Sequence, residues 1–249
     1  MKNRLKVYDS VSLIYDDLMI GIDYVRWSDY ILNIRKIYLE KGDINVLELS
    51  AGNCKMAGKI SKRIPRYIAS DSSLPMLRKA KYFDTNKICC DMTALPFKNK
   101  FDLVFSTFDS VNYLLSKRLL LTLFCEVKNI LSDSGIFTFD NTLEKNSLEF
   151  EKSYVSEGEY HGLQYKRKSK YFPNTRIHKN IFEIKNKFGT VLTEVHKQKI
   201  YRFETYFKLI KKAGLYVVEC LDTFAFDKGN SNSKRIQFIL KIDKSNAKF

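Results

Sequence analysis

Four acidic residues stand at equivalent points of the chain, each near the end of a short apolar run. They are Glu48, Asp71, Asp91 and Asp140. If those runs are parallel strands, the acids share one edge of a sheet, where open α/β folds bind their ligands. Asp71 lies 19 residues after Gly52, a spacing typical of an acid that accepts hydrogen bonds from a ribose diol. The acids therefore predict a site for a nucleotide-like cofactor, although each alone could equally cap a helix.

The turn after the first apolar run lacks two of the three glycines expected in a nucleotide-binding turn. Gly52 remains, whereas Ser50 and Cys54 occupy the other two places. Gly52 can adopt a positive φ without steric cost, and the following helix start offers unpaired backbone N–H groups to a ligand. The turn alone is also compatible with an ordinary strand-to-helix connection; together with Asp71 it favours a cofactor site.

The elements that must position these residues alternate between strands and helices. Apolar runs predict strands over 45–49, 66–71, 87–91, 101–107 and 135–140. The amphipathic pattern predicts helices over 55–64, 74–83 and 117–131, with caps at Ser72 and Ser73 and a turn over 132–135. Alternating strands and helices form right-handed βαβ units, so a parallel sheet with helices on both faces is expected.

The pattern changes after residue 150. Two-residue alternation predicts three antiparallel strands over 159–172, 176–186 and 191–201, separated by turns at 173–174 and 188–189. A helix over 202–214 and strands over 215–221 and 234–242 complete the sheet. The fold class is therefore α/β: a Rossmann-like, seven-stranded, mostly parallel sheet with an inserted antiparallel three-stranded sheet.

Composition limits the classes of protein. The chain has 249 residues, 45% hydrophobic and 29% charged, as in soluble globular proteins. It has no apolar run of about 20 residues and no signal-peptide pattern. The five cysteines are odd in number and form no CxxC pair, so we expect neither a disulfide framework nor a metal site. These features predict a cytoplasmic protein.

The net charge of +15 is unevenly distributed. Residues 152–212 contain 15 Lys and Arg against 5 Asp and Glu, which gives +10. Such a region attracts acidic partners, including nucleic acid or an anionic substrate, although a lysine-rich solvated surface would give the same count.

Five stretches, read in order, resemble the motifs of class I S-adenosylmethionine (SAM)-dependent methyltransferases: "VLELSAGN", "ASDSSLPMLRKA", "CCDMTALPF", "FDLVFSTFDSVNYL" and "NILSDSGIFTFDNT". The front, 14–31, is similar to the N-terminal lid of a bacterial small-molecule branch that includes sugar-amine and glycine-type N-methyltransferases. The resemblance implies a helical lid over 1–40, a SAM-binding domain over 41–145 and 203–249, and an insertion over 146–202 that covers the substrate pocket.

The resemblance also implies the cofactor site. Glu48 would hold the amino end of SAM through the turn, Asp71 would bind the ribose hydroxyls, and Met76 would pack on the adenine. Asp91 would accept from the adenine amino group, and Tyr15 would close over the methionine end. The implied cofactor-binding residues are Tyr15, Trp27, Glu48, Ser50, Ala51, Gly52, Asp71, Ser72, Met76, Asp91, Met92, Phe108 and Asp109. From aromatic spacing alone, Tyr8, Tyr15, Tyr24 and Trp27 would instead form a helix face packed on the sheet.

The chemistry of SAM sets the requirements for catalysis. Its methyl group is electrophilic, so the protein must align a nucleophile and exclude water; an amine needs only a weak base, whereas a hydroxyl needs a stronger one. His196, in the "EVH" stretch, is the candidate base, with a structural histidine as the alternative. Asp109 and Tyr113 are the other catalytic candidates. The candidate substrate residues are Tyr8, Tyr24, Asn112, Tyr113 and Arg202. Asn112 and Tyr113 are equally compatible with helix capping and packing.

Three functions remain open at this level. The first is methylation of a small molecule, with an amine favoured and an acidic acceptor suggested by the basic insertion. The second is methylation of RNA or protein docked on that insertion, and the third is SAM binding without transfer. The first hypothesis is favoured, for a monomer or homodimer with no membrane partner.

Overall fold

A computed structural model describes residues 7–39, 42–81 and 86–246. The helices are α1 (Tyr15–Leu18), α2 (Tyr24–Tyr38), α3 (Ala57–Ile60), α4 (Leu74–Arg78), α5 (Lys117–Ile130), α6 (Glu144–Leu148) and α7 (Phe203–Lys212). Short 3₁₀ helices span Val11–Leu13, Ser110–Tyr113 and Lys244–Asn246. The strands are β1 (Val46–Leu49), β2 (Tyr67–Asp71), β3 (Lys87–Cys89), β4 (Phe101–Ser106), β5 (Leu131–Thr142), β6 (Tyr154–Tyr160), β7 (Leu163–Phe172), β8 (Ile177–Lys185), β9 (Val191–Lys199), β10 (Leu215–Asp222) and β11 (Arg235–Ile242).

Seven strands form the large sheet in the order β10-β11-β5-β4-β1-β2-β3. Strands β1 to β5 pair in parallel, and β11 pairs antiparallel with both β5 and β10. Every residue of β1 and β4 is buried, as expected for parallel strands covered on both faces. The predicted fold class, a Rossmann-like mostly parallel sheet of seven strands, is confirmed.

The sheet changes direction at β1, because β2 and β3 lie on one side of it and β4 on the other. Leu49 is in register with Ser70 on β2 and with Ser106 on β4. The turns that follow these three strands therefore meet at one edge, at the switch point where such folds bind ligands.

The predicted helices are present, and two of them are shorter than predicted by about half. Ser73 caps α4 by accepting a hydrogen bond from the Met76 amide at 3.3 Å, as the sequence predicts. The helices predicted over 55–64 and 74–83 are observed only over Ala57–Ile60 and Leu74–Arg78, and residues 82–83 lie outside the described residues. No helix within the described ranges is both long and apolar enough to span a bilayer.

The predicted turn over 132–135 is wrong, because β5 runs without interruption from Leu131 to Thr142. The pairing with β4 instead jumps from Phe101↔Leu131 to Leu103↔Ile136. The four polar and small residues thus form an enlarged bulge inside the strand, which accommodates the turn-like composition without ending it.

The inserted sheet has four strands rather than the predicted three, in the order β6-β7-β8-β9. The predicted strand over 159–172 is divided by a tight turn at His161 and Gly162, whose φ angles are 49° and 74°. Two successive positive φ values match the twist of a two-residue hairpin, so residues 154–160 return along β7. On β8 and β9 burial alternates residue by residue, which leaves one face buried and the other in solvent.

Candidate active site

The glycine-poor turn after β1 keeps the backbone conformation of a glycine-rich one. Ser50, Gly52 and Cys54 have φ angles of 56°, 56° and 59°. A positive φ brings Cβ close to the backbone in any residue but glycine, so Ser50 and Cys54 carry local strain. The chain therefore tolerates two substitutions without changing the shape of the turn.

Asp71, at the end of β2, holds this turn in place. One carboxylate oxygen accepts from the Gly52 amide at 2.8 Å, and the other accepts from the Ser73 amide at 2.7 Å. Burial raises the pKa of Asp71, while the two amide hydrogen bonds oppose that rise. Each oxygen keeps one lone pair, so the carboxylate can still accept hydrogen bonds from a diol.

A cavity of about 260 Å³ opens beside this turn. It is lined by these predicted cofactor residues: Tyr15, Ser50, Gly52, Asp71, Ser72, Met76, Asp91, Met92 and Phe108. A Cβ at Gly52 would lie 3.2 Å from the Met76 methyl carbon and 3.8 Å from the Tyr15 hydroxyl oxygen. The cavity is therefore narrow at Gly52, where only a glycine leaves room for a ligand against the backbone.

Four predicted cofactor residues lie outside this lining. Glu48 is buried beneath the turn and accepts from the Tyr67 hydroxyl at 2.5 Å; burial raises its pKa to about 8. Ala51 is buried in the core. Trp27 packs on Phe108 with ring centroids 4.8 Å apart, and so supports the cavity wall from behind. The fourth, Asp109, faces a second cavity.

The second cavity has a volume of about 220 Å³. It lies between the buried face of the inserted sheet, the loop after β4 and residues 8–22, here called the N-terminal segment. Both cavities are lined by the same four aromatic side chains: Tyr8, Tyr15, Phe108 and Tyr113. Phe108 and Asp109 have φ angles of 63° and 50°. This strained loop is the kind of backbone that clusters at ligand sites, and it turns both residues toward the wall between the cavities.

His196 lines the second cavity and belongs to a chain of hydrogen-bonded side chains. Its Nε2 lies 2.6 Å from Glu194 Oε1, and its Nδ1 lies 2.9 Å from the Tyr113 hydroxyl. The Tyr113 hydroxyl lies 2.9 Å from that of Tyr8. Because ionised Glu194 only accepts, Nε2 carries a proton and Nδ1 of the neutral ring accepts from Tyr113. The predicted base thus lines the second cavity, with its Nδ1 bonded to the Tyr113 hydroxyl.

Glu194, which sequence reasoning missed, also fastens the N-terminal segment. Its carboxylate accepts from the amide of Tyr8, the amide and hydroxyl of Ser10 at 2.7 Å each, and the amide of Val11 at 3.0 Å. Burial would raise the pKa of Glu194, but the hydrogen bonds from His196, Ser10 and Val11 outweigh it and lower the pKa to about 2. One sequence signal could have revealed Glu194: it lies two residues before His196, and residues two apart on a strand share one face.

Asp109 belongs to an ion-pair network in which each of its carboxylate oxygens accepts a hydrogen bond. Its carboxylate accepts from Arg235 Nη2 at 2.5 Å and from Gln198 Nε2 at 2.6 Å. Arg235 Nη1 donates to the buried Asp140, which also accepts from the Asp109 amide at 3.0 Å. The two carboxylates therefore hold Arg235 in place, so Asp109 orients the cavity wall rather than standing free as a base.

Three predicted substrate residues lie away from both cavities. Asn112 is fully buried and bridges the Thr142 amide to the Lys199 carbonyl, so it ties the inserted sheet to β5. Arg202 is exposed beyond β9. Tyr24 packs edge-on against Phe108 with ring centroids 5.6 Å apart. Tyr8 and Tyr113 are the two that line the cavities.

Comparisons with known proteins agree with this geometry. Residues 46–135 match the model of a methyltransferase domain family. A Geobacillus sp. (strain WCH70) protein, named provisionally as a methyltransferase, is 24% identical over 94% of this chain and 99% of its own length.

Solved structures share the fold at identities below 25%. A SAM-dependent methyltransferase from Clostridium acetobutylicum ATCC 824 superposes with a TM-score of 0.80 and 22% identity, over 95% of this chain and 99% of its own. The sugar N-methyltransferase KedS8 from Streptoalloteichus sp. ATCC 53650 superposes with a TM-score of 0.75 and 17% identity, over 97% and 98%.

Residues 46–135 thus match a methyltransferase domain, and the chain shares the class I fold of SAM-dependent methyltransferases. These findings support the family resemblance drawn from the motifs, with SAM as the cofactor that it implies. The residues of the first cavity fit this cofactor, because Asp71 keeps lone pairs for ribose hydroxyls and Gly52 leaves the backbone open beside it.

Proposed function

We propose that this enzyme methylates an amine of a small-molecule acceptor held in the second cavity. The observation that carries the proposal is the wall of Tyr8, Tyr15, Phe108 and Tyr113 that the two cavities share. A donor in the first cavity and an acceptor in the second would meet across this wall. At about 220 Å³, against about 260 Å³ for the first, the second cavity favours a small acceptor.

The polar groups of the second cavity favour an amine over an alcohol. Asp109 is held by Arg235 and Gln198, and His196 is held by Glu194 and Tyr113. His196 Nδ1 can take a proton through Tyr113, which suffices for an amine but not for an alcohol, since an alcohol needs a strong base in direct contact. Burial raises the pKa of Tyr8 and Tyr113, so their hydroxyls remain protonated and can orient the acceptor through hydrogen bonds.

The residues of the chain then divide the work of transfer. When bound, SAM supplies an electrophilic methyl group. Phe108 and Tyr15 exclude water from the wall, and Tyr8 and Tyr113 position the amine nitrogen. The proton lost from the amine can pass from the Tyr8–Tyr113 pair to His196 Nδ1, where the resulting cation is stabilised by Glu194. Positioning and exclusion of water account for most of the proposed catalysis.

Transfer of labelled methyl to a metabolite library tests this proposal. The library contains matched pairs in which an amine replaces a hydroxyl on the same carbon skeleton, and mass spectrometry identifies the products. We expect methylated amines and no methylated alcohols, with transfer lost in Asp71→Ala. Methylation restricted to alcohols would overturn the choice of amine, and methylation restricted to RNA or protein would overturn the small acceptor.

A macromolecular acceptor is the second candidate, and one surface feature favours it. Lys170, Lys179 and Lys197 are directly opposite one another across β7, β8 and β9 on the solvent face of the inserted sheet. Like charges in register repel, so this row favours an anionic partner such as RNA. RNA affinity that falls steeply with salt, and that is lost when the row is neutralised, would support this candidate.

A further inference from the structure

Arg167 projects from the buried face of β7 into the second cavity. On neighbouring strands its register partners are Ser156 on β6 and Phe182 on β8. Its guanidinium carbon lies 5.9 Å from the centre of the Phe182 ring. The side chain thus lies in the middle of the inserted sheet, opposite the loop that carries Asp109, and not in the solvated lysine surface behind it.

One edge of the guanidinium is fixed by the sheet. Arg167 Nε donates to Ser169 Oγ and to Asn180 Oδ1, each at 3.0 Å, and Ser169 Oγ donates to Asn180 Oδ1 at 2.5 Å. Ser169 is fully buried and Asn180 nearly so. This support fixes the direction of the side chain and leaves the Nη1 and Nη2 edge to face the cavity.

The two arginines that line the second cavity differ in their partners. Arg235 uses Nη1 and Nη2 to bind Asp140 and Asp109. For Arg167, no residue within the described ranges accepts a hydrogen bond from Nη1 or Nη2. Burial lowers the pKa of Arg167, which reflects the cost of removing the charge from water. The Asp109 carboxylate and nearby phenols oppose this fall, but the described residues form no ion pair with Arg167, so an anionic ligand in the cavity would stabilise the charge further.

We infer that Arg167 binds an oxyanion of the methyl acceptor, a carboxylate or a phosphate, through the paired Nη1 and Nη2 atoms. Guanidinium binds both groups in a two-pronged geometry that lysine cannot reproduce. The inference rests on the proposed function and narrows it. The acceptor is a small zwitterion, with its amine near Tyr8 and Tyr113 and its anionic group at Arg167.

The inserted sheet would therefore select the acceptor by its charge as well as by its shape. A neutral amine of the same size would leave the Nη edge unpaired, and this would disfavour its binding. The positive charge of residues 152–212, +10 in total, would further attract an anionic acceptor toward the cavity.

Anion binding to the complex with S-adenosylhomocysteine, the demethylated form of SAM, tests the inference. The probes are sodium acetate and sodium phosphate at constant ionic strength, with sodium chloride as reference, and the readout is Tm as a function of anion concentration. Wild type, Arg167→Gln and Arg167→Lys are compared with Lys168→Gln. Lys168 is the neighbouring residue on the solvent face, paired with Glu183 at 3.0 Å, so its substitution removes the same charge outside the cavity.

We expect acetate, phosphate or both to raise the Tm of wild type and Lys168→Gln in a saturable way. The apparent affinity should weaken at least about tenfold in Arg167→Gln, since a bond to a charged group contributes ~1.5–3 kcal/mol. Arg167→Lys should give an intermediate affinity, because lysine keeps the positive charge but cannot donate two parallel hydrogen bonds to one oxyanion. Acetate alone indicates a carboxylate acceptor, and phosphate alone indicates a phosphate ester.

Two results would overturn the inference. One is a wild-type Tm that responds to both anions as it does to chloride, and the other is a response that persists in Arg167→Gln. Titration of S-adenosylhomocysteine into each variant distinguishes these from a failure of the proposed function. Retained cofactor binding with no anion effect removes only the role of Arg167, whereas no cofactor binding in wild type removes the proposed function itself.

Discussion

Glu194 and His196 are two residues apart on β9, and their side chains form a hydrogen bond of 2.6 Å with only 1% and 2% of their surfaces exposed. The same carboxylate binds the amides of Tyr8, Ser10 and Val11. A single buried acid thus fixes the orientation of the candidate base and the position of the N-terminal segment. The site is held together by contacts between residues 183–186 positions apart in the sequence.

Glu194→Gln should lower the free energy of unfolding by about 2–3 kcal/mol, because neutral Gln weakens hydrogen bonds that now reach a charged acceptor. The native pKa of Glu194 is about 2, below its ordinary value of 4.5. Its stabilisation is therefore complete above the ordinary value and is lost as pH falls from about 5 toward 2. Urea unfolding at a series of pH values should show this loss in wild type but not in the variant.

The exposed ion pair of Glu149 with Lys234 provides the control for that measurement. Glu149→Gln removes the same charge from a surface position, where such pairs contribute little. A loss of stability as large as that of Glu194→Gln would show that net charge, not the buried network, is responsible.

His196 should adopt the Nε2–H tautomer in solution. In the neutral ring the proton faces the Glu194 carboxylate, while Nδ1 accepts from Tyr113. Long-range ¹H–¹⁵N spectra at about pH 8 would distinguish the tautomers, with His196→Gln used to assign the signal. Tyr113→Phe should shift only the Nδ1 resonance, and an Nδ1–H tautomer in wild type would contradict the proposed proton path.

Ser50→Gly should stabilise the protein by about 0.5–1 kcal/mol. A left-handed conformation costs an L-residue roughly 1–2 kcal/mol, and the greater freedom of glycine in the unfolded chain offsets about 0.5–1 kcal/mol. Cys54→Gly relieves the same strain, but it also removes a fully buried side chain and so should be neutral or destabilising by about 1 kcal/mol. Urea unfolding of both variants checks the contrast, and equal effects would argue against strain at Ser50.

Asp71→Ala should weaken S-adenosylhomocysteine binding by about 100-fold or more, measured by isothermal titration. The substitution removes two acceptors for ribose hydroxyls and releases the Gly52 and Ser73 amides that shape the turn. Asp43→Ala is the matched control, because Asp43 forms an exposed pair with Arg66. Unchanged affinity in Asp71→Ala would place the cofactor elsewhere.

Local patterns were sufficient to predict the large sheet and its cofactor edge. Buried parallel strands appear in the sequence as short apolar runs. Asp71 is recognisable because it follows Gly52 by 19 residues. The hairpin at His161 and Gly162 was missed because His-Gly is a weaker hairpin signal than Asn-Gly or Asp-Gly, and the flanking strands share one alternating pattern. The bulge over 132–135 was predicted as a turn because small and polar residues are typical of turns and of bulges alike.

The second cavity could not be predicted in the same way. Glu194 and Arg167 act through partners 183–186 residues away or on neighbouring strands of the inserted sheet. Their roles depend on strand register, which a single sequence does not fix. Asn112 shows the converse, since its position in a family motif suggested a substrate contact, whereas the structure buries it as a link between two sheets.

Tyr8 and Tyr15 line both cavities and belong to one short stretch of chain, which four hydrogen bonds to Glu194 attach to β9. One buried acid on the inserted sheet therefore supports a wall of each cavity, so a substitution of Glu194 should loosen both cavities at once.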